Sequence, residues 1–128
     1  MRRLGLLLIA LFMAGTAVTS VAQEHPAVEH AKRIFALMQQ EKFDEVSKEF
    51  TPDMLAALPP DKFREVWAAV LAQVGTFSSF IDQQVALPGK GITAVILGCR
   101  FEKSPLNVIV SFDVENKVAG LTFVPRKP

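Results

Sequence analysis

Cysteine is nearly absent: Cys99 is the single cysteine of the 128-residue chain. No disulfide within one molecule can therefore stabilise the fold, and the hydrophobic core must suffice by itself. A lone thiol in an oxidising compartment is usually buried, and Cys99 ends the apolar run ITAVILGC. We expect Cys99 to be a buried core residue, with a free reactive thiol as the alternative.

Histidine is scarce as well, since His25 and His30 are the two histidines of the sequence. A metal site needs three or four converging His, Cys or carboxylate ligands, and no such spacing occurs. A nucleophilic triad needs a histidine beside a serine in a strained turn, and neither histidine has one nearby. We therefore predict no metal, no cofactor and no catalytic residue, and both histidines are expected to face solvent.

No charge of one sign predominates, because 14 Lys and Arg residues stand against 13 Asp and Glu residues. Binding to nucleic-acid phosphates needs clustered Lys and Arg, and the sequence has no basic run. Residues 88–91, PGKG, lack the spaced glycines and the Ser or Thr after Lys of a phosphate-binding loop. The composition argues against a nucleic-acid partner, and residues 88–91 are predicted to form a turn.

The chain has one long hydrophobic run, which lies at the N-terminus. Arg2 and Arg3 precede an apolar run over residues 4–14, and small residues follow as far as Ala22. This order is typical of a secretory signal peptide, and the run is shorter than the about 20 apolar residues of a membrane-spanning helix. We expect an exported, periplasmic or secreted domain at residues 23–128 with no membrane attachment after cleavage; an uncleaved anchor is the alternative.

Helical patterns fill the first half of this domain. Apolar residues recur with helical spacing over residues 27–41, and a second short helix is predicted over residues 42–50. A Thr-Pro-Asp sequence at residues 51–53 supplies an N-cap, a proline for the first turn and an acidic residue. It predicts a third helix of one to two turns. Three of its apolar residues are expected to face inward: Met54, Leu55 and Leu58.

The strongest helix signal follows. Pro59, Pro60 and Asp61 suit a first turn, and Gly75 suits a helix end. Between them one apolar stripe is formed by Phe63, Val66, Trp67, Val70, Leu71 and Val74. We expect this long helix to lie across the sheet, with the rest of the chain packed around it. Trp67 is expected to belong to the core, with a role as a ligand platform as the alternative.

After Gly75 the periodicity changes to about two, which is typical of strands. Four strands are predicted: residues 76–87, 92–102, 106–113 and 117–124. Short turns make the last three antiparallel neighbours, and Gly98 and Gly120 are expected to permit bulges or bends. Helices followed by strands predict an α+β domain, with N-terminal helices packed against a curved four-stranded antiparallel sheet.

The predicted strands alternate between two faces. In the third strand one face holds Leu106, Val108, Val110 and Phe112, and the other holds Asn107, Ile109, Ser111 and Asp113. In the first strand strict alternation places Phe77, Ser79, Ile81, Gln83 and Val85 on one face and Ser78, Phe80, Asp82, Gln84 and Ala86 on the other. Neither face of the first strand is purely apolar, so one of them is expected to be solvated or to line a cavity.

Several short motifs of the sequence together resemble those of a known family. They are a Leu58-Pro59 pair before the long helix, Trp67 within it, a Gly75-Thr76-Phe77 exit, a third strand ending Phe112-Asp113, and the closing GLTFVP at residues 120–125. Together they resemble a bacterial exported domain of unknown function often found N-terminal to α/β-hydrolases. The resemblance implies a cystatin-like, nuclear-transport-factor-like cone fold and export. The chain has no hydrolase and no Gly-x-Ser-x-Gly elbow, so no catalytic residue carries over.

The candidate site follows from polar residues on the strands, which are predicted to converge on one face of the sheet. Five of these strand residues, together with Trp67, are the candidate ligand-binding residues: Trp67, Asp82, Gln84, Arg100, Asn107 and Ser111. The alternative is a solvated outer face with an ordinary cross-strand pair of Arg and Asp, worth less than about 1 kcal/mol.

Two classes of function remain open. The first is an exported, non-catalytic module that binds a small apolar ligand inside the cone or a protein partner. The second is a small isomerase-like or hydrolase-like enzyme, which would need Asp82 or Asp113 buried with a raised pKa. Because the second strand is apolar on both faces, both faces are expected to be covered. We therefore predict a homodimer, or a heterodimer with another protein, through the outer sheet face.

Export is testable directly. The arginines, the short apolar run and the small residues that end at Ala22 should direct secretion, with cleavage before Gln23. Intact-mass measurement on protein from the exporting host should show loss of residues 1–22. A mass that retains these residues on most molecules would refute the prediction.

Overall fold

The computed structural model describes residues 25–127, so the expected signal peptide at residues 1–22 lies outside the described part. Within it, helices come first and strands follow, which confirms the α+β prediction. The helices are α1 (Pro26–Gln39), α2 (Phe43–Ser47), α3 (Pro52–Ala57) and α4 (Pro60–Val74). The strands are β1 (Phe77–Gly89), β2 (Ile92–Phe101), β3 (Leu106–Phe112) and β4 (Val118–Pro125). No helix in residues 25–127 has the length and apolarity to cross a membrane.

Local sequence sets the helix boundaries. The Thr51 hydroxyl accepts a hydrogen bond from the Met54 N–H at 3.1 Å and caps α3 as predicted. Helix α4 ends at Gly75, whose φ of 81° suits glycine and whose N–H donates to the Leu71 carbonyl. Leu55 is 41 % exposed, so its predicted inward position is wrong. Met54 and Leu58 pack against the core, as predicted.

The four strands form one antiparallel sheet in the order β1-β2-β3-β4. Strand β1 extends through Gly89, and the turn to β2 is Lys90 and Gly91, whose φ values of 58° and 74° match the positive pair of a type I′ hairpin. At the opposite edge, the Val118 N–H donates to the Glu49 carbonyl at 2.7 Å. The segment between α2 and α3 therefore covers the beginning of β4.

Strand β1 departs from the predicted alternation because it contains three bulges, between Phe77 and Ser79, between Phe80 and Asp82, and between Ala86 and Gly89. Each bulge inserts one residue and reverses the faces that follow it. As a result Phe77 and Phe80 share the inner face, where both rings contact Phe35. The second bulge lies opposite Gly98, and a register shift between β3 and β4 lies beside Gly120, as predicted for both glycines.

The inner face of the sheet is covered mainly by α1. This helix lies against β1 and β2, and its entire apolar stripe is buried: Val28, Ala31, Ile34, Phe35 and Met38. The prediction that the long helix lies across the sheet is wrong, because α4 packs on α2 and only half of its stripe is fully buried. It reaches the sheet through Trp67, whose ring lies 5.7 Å from that of Phe123 and 6.4 Å from that of Phe101.

Trp67 is 2 % exposed, which confirms it as a core residue. Trp67→Ala should lower the free energy of unfolding by about 3 to 5 kcal/mol, because truncation leaves a cavity among aromatic rings. Denaturant unfolding measures the effect, and Leu55→Ala, at an exposed position, is the matched control with a change near ±0.5 kcal/mol. A Trp67→Ala midpoint equal to that of the wild type would contradict the packing.

Candidate functional site

The space between the helices and the sheet is filled by side chains. Phe35 lies at its centre, with ring centroids of Trp67 and Phe101 at 6.0 and 6.4 Å. Beside Trp67 the structure leaves a hollow of about 160 Å³, smaller than the about 300 to 1,000 Å³ typical of small-molecule sites. Larger hollows open at the surface, one of about 340 Å³ beside α2 and one of about 540 Å³ at the start of α1.

The outer sheet face brings together the five strand residues that the sequence singled out. Asp82 pairs with Gly98, which pairs with Asn107; Gln84 lies in the next row, beside Ile96. Ser111 lies opposite Ala94, and Arg100 opposite Ser79. Trp67 does not join them, because it lies in the core on the other side of the sheet. The predicted six-residue set is therefore divided by the sheet.

An arginine that the sequence reasoning missed organises this face. Arg126 follows β4, and its guanidinium crosses β3 and β2 to reach Asp82 on the opposite edge strand. Its Nη1 and Nη2 donate to the two Asp82 carboxylate oxygens at 2.8 Å each, and Nη1 also donates to Asn107 Oδ1 at 3.1 Å. The expected cross-strand pair of Arg and Asp is thus present, with Arg126 rather than Arg100 as its arginine. We call these three side chains the cross-sheet clamp.

Gly98 provides the room for the clamp. A Cβ at this position would overlap Arg126 Nη1 and Asp82 Oδ1. The guanidinium can therefore lie close to the sheet only because residue 98 has no side chain. Gly98 itself is buried beneath it.

Neither aspartate fits the role that an enzyme would require. The hydrogen bonds from Arg126 lower the pKa of Asp82, and its side chain is 51 % exposed, so the carboxylate stays ionised at neutral pH. Asp113 Oδ1 accepts hydrogen bonds from the N–H groups of Glu115 and Lys117 at 2.9 Å each, and so holds the turn between β3 and β4. Asp82 therefore lacks the raised pKa that the enzyme alternative requires, and Asp113 is engaged in holding a turn.

Cys99 is fully buried, as expected. Burial raises the pKa of its thiol to about 12, and Sγ donates to the Leu97 carbonyl at 3.4 Å. A thiolate is the reactive form of cysteine. The buried thiol is therefore a packing residue.

The prediction that both histidines face solvent is wrong for His30. His25 is exposed, and its Nδ1 accepts the Ala27 N–H at 3.0 Å as the N-cap of α1. The His30 side chain is only 17 % exposed, stacks on Phe112 at 4.3 Å, and places Nε2 2.7 Å from Glu49 Oε1. Helical spacing carries a signal for this position, because His30 lies four residues before the buried Ile34.

His30 lines the hollow of about 540 Å³ at the start of α1, which we call the α1 groove. Its polar walls come from the first two turns of α1, the beginning of β2 and the turn after β3. They are formed by His25, Glu29, His30, Arg33, Thr93 and Asn116. Arg33 Nη2 also lies 3.3 Å from Glu49 Oε1, the same oxygen that His30 contacts. The groove has the volume of a small-molecule site and carries hydrogen-bonding groups of both kinds.

The clamp predicts a measurable pKa. Arg126→Gln should raise the pKa of Asp82 toward its ordinary value of 3.8, because the hydrogen bonds that lower it are lost. Gly98→Ala should have the same effect by displacing the guanidinium, and Arg100→Gln is the control that leaves the pKa unchanged. NMR titration of the Asp82 carboxyl carbon measures all three.

The lowered pKa of Asp82 also determines how the clamp's contribution to stability depends on pH. The clamp's contribution is present above the unfolded-state pKa and is lost as pH falls through the folded-state pKa. Lowering the pH should therefore reduce the free energy of unfolding of Arg126→Gln by less than that of the wild type. An Asp82 pKa that is identical in wild type and Arg126→Gln would contradict the clamp.

Comparison with known proteins adds a family and no function. Neither the curated proteins nor the solved structures provide a match to this chain. A family model described as protein of unknown function (DUF3887) matches residues 31–121, more than half of the chain, from α1 into β4. The chain therefore belongs to this family of uncharacterised domains.

Proposed function

We propose that the protein is an exported, non-catalytic interaction module whose outer sheet face binds a second copy of the chain. The observation that carries the proposal is a charge-free surface on that face. The helices cover the inner side of the sheet, and the clamp crosses part of the outer side. The partner would meet the part of the face that the clamp leaves open.

This open part, which we call the neutral patch, consists of two rows of paired residues. One row runs Gln84, Ile96, Ile109 and Thr122, and the other runs Ala86, Ala94, Ser111 and Gly120. The side chains are small, aliphatic or uncharged, so a second sheet can approach at about 10 Å. Ile96 and Ile109 lie at the centre, where an interface is most apolar.

A second copy suits the neutral patch on electrostatic grounds. In a two-fold dimer the same surface is presented by both subunits, and a patch without formal charge meets its copy without like-charge repulsion. The clamp lies in the adjacent row, where Asp82 and Arg126 neutralise each other. A different exported protein, such as an α/β-hydrolase of the kind that the resemblance implies, is the alternative occupant.

Export rests on the signal pattern at residues 1–22, and the absence of catalysis rests on the candidate aspartates. Asp82 is held ionised by Arg126, and Asp113 is engaged in a turn. An interior ligand has less support than a surface partner, because aromatic rings occupy the centre of the domain.

The association is measured by sedimentation velocity at micromolar concentration, where we expect a dimer. Ile109→Lys should shift the protein to monomer, because each interface would then bury two unpaired charges. Leu55→Lys, an exposed substitution on α3, is the matched control and should leave the dimer intact. A monomeric wild type, or a dimer that Ile109→Lys does not weaken, would overturn the proposal.

A further inference from the structure

The α1 groove contains an imidazole that is held in place on two sides. The His30 ring stacks on Phe112, and its Nε2 lies 2.7 Å from Glu49 Oε1. Glu49 is fixed in turn, because its carbonyl accepts the Val118 N–H at the start of β4. An ionised carboxylate only accepts hydrogen bonds, so Nε2 donates to it and Nδ1 becomes the acceptor of the neutral ring. The ring that lines the groove is therefore held in one orientation, with Nδ1 as its acceptor nitrogen.

Two opposite charges line the same groove from one helix. Glu29 and Arg33 lie one turn apart on α1 and, within residues 25–127, form no ion pair with each other. Arg33 uses one nitrogen, at 3.3 Å from Glu49, and its side chain is 59 % exposed. A guanidinium has five N–H donors, so most of those of Arg33 are available to a ligand. A simple anion would be repelled by Glu29 and a simple cation by Arg33, whereas a molecule with both charges suits the pair.

We propose that the α1 groove binds a short zwitterionic peptide of about two residues. Arg33 binds the terminal carboxylate, Glu29 binds the terminal ammonium, and His30 Nδ1 accepts the peptide N–H. Four residues of α-helix rise about 6 Å, and two extended residues span at most about 7 Å. An extended dipeptide is therefore about as long as the helical rise between Glu29 and Arg33.

The remaining walls suit a peptide as well. Thr93 and Asn116 contribute side chains that both donate and accept hydrogen bonds, which is what a peptide group requires. Pro26 and Ala27 contribute apolar surface beside them. The site lies at the start of α1, whereas the neutral patch lies on the outer sheet face, so either proposal can fail without the other.

The test compares three matched probes by NMR titration, which follows the His30 ring and the Arg33 side chain. The probes are alanyl-alanine, its N-acetyl form without the ammonium, and its amide form without the carboxylate. Alanyl-alanine should give saturable shifts at millimolar concentration, and each capped form should bind about tenfold more weakly, because each lacks one charge-assisted hydrogen bond.

Two variants then assign the charges. Arg33→Gln should remove the preference for a free carboxylate and keep the preference for a free ammonium, and Glu29→Gln should do the reverse. Arg64→Gln, on α4 and outside the groove, is the control that should retain both preferences. The amide spectrum of each variant reports whether it is folded. Equal binding of the three probes, equal effects of the two variants on both preferences, or the absence of saturable shifts in the groove would overturn the proposal.

Discussion

The contact of Phe35 with the sheet is the interaction on which the two layers depend. Its ring lies 5.0 Å from Phe77, 5.8 Å from Phe80 and 6.4 Å from Phe101, and on the helical side 6.0 Å from Trp67. Edge-on and tilted aromatic pairs of this kind contribute about 0.5 to 1.5 kcal/mol each beyond their buried area. With a single cysteine in the chain, no internal disulfide supplements them. Packing around one phenylalanine of α1 therefore joins helices to strands.

This packing is the reason that both proposals place function at the surface. A cone fold that binds a ligand inside needs an open interior, and here Phe35 and its neighbours occupy that position. The two proposed binding sites are therefore surfaces. One is the neutral patch on the outer face, and the other is the α1 groove, where His30 and Glu49 join α1 to the segment before β4. The exposed side chains of these surfaces, such as Arg33 at 59 %, can be changed with little effect on folding.

Local signals in the sequence were sufficient to predict the helices and strands, and insufficient to predict which of them pack or pair with each other. The Thr51 cap, the glycine at residue 75 and the alternation of β3 act within a few residues, and each is found where it was predicted. The bulges of β1 depend on pairing with β2, so strict alternation placed Phe80 on the wrong face. Arg126 was missed because its partner Asp82 is 44 residues away in sequence and three strands away in space. Whether α1 or α4 covers the sheet depends on how much of each helix's apolar stripe is buried against it. The spacing of apolar residues alone does not determine this.

The outer face shows why converging polar residues need not form a chemical site. Both oxygens of Asp82 are occupied by Arg126, and Asn107 Oδ1 accepts from the same guanidinium. A general acid must be protonated near neutral pH, whereas this arrangement lowers the pKa of Asp82. The clamp instead connects the segment after β4 to the edge strand β1 across the whole sheet. The polar half of the face thereby holds the strands together, and the uncharged half beside it is the surface that the proposed partner would contact.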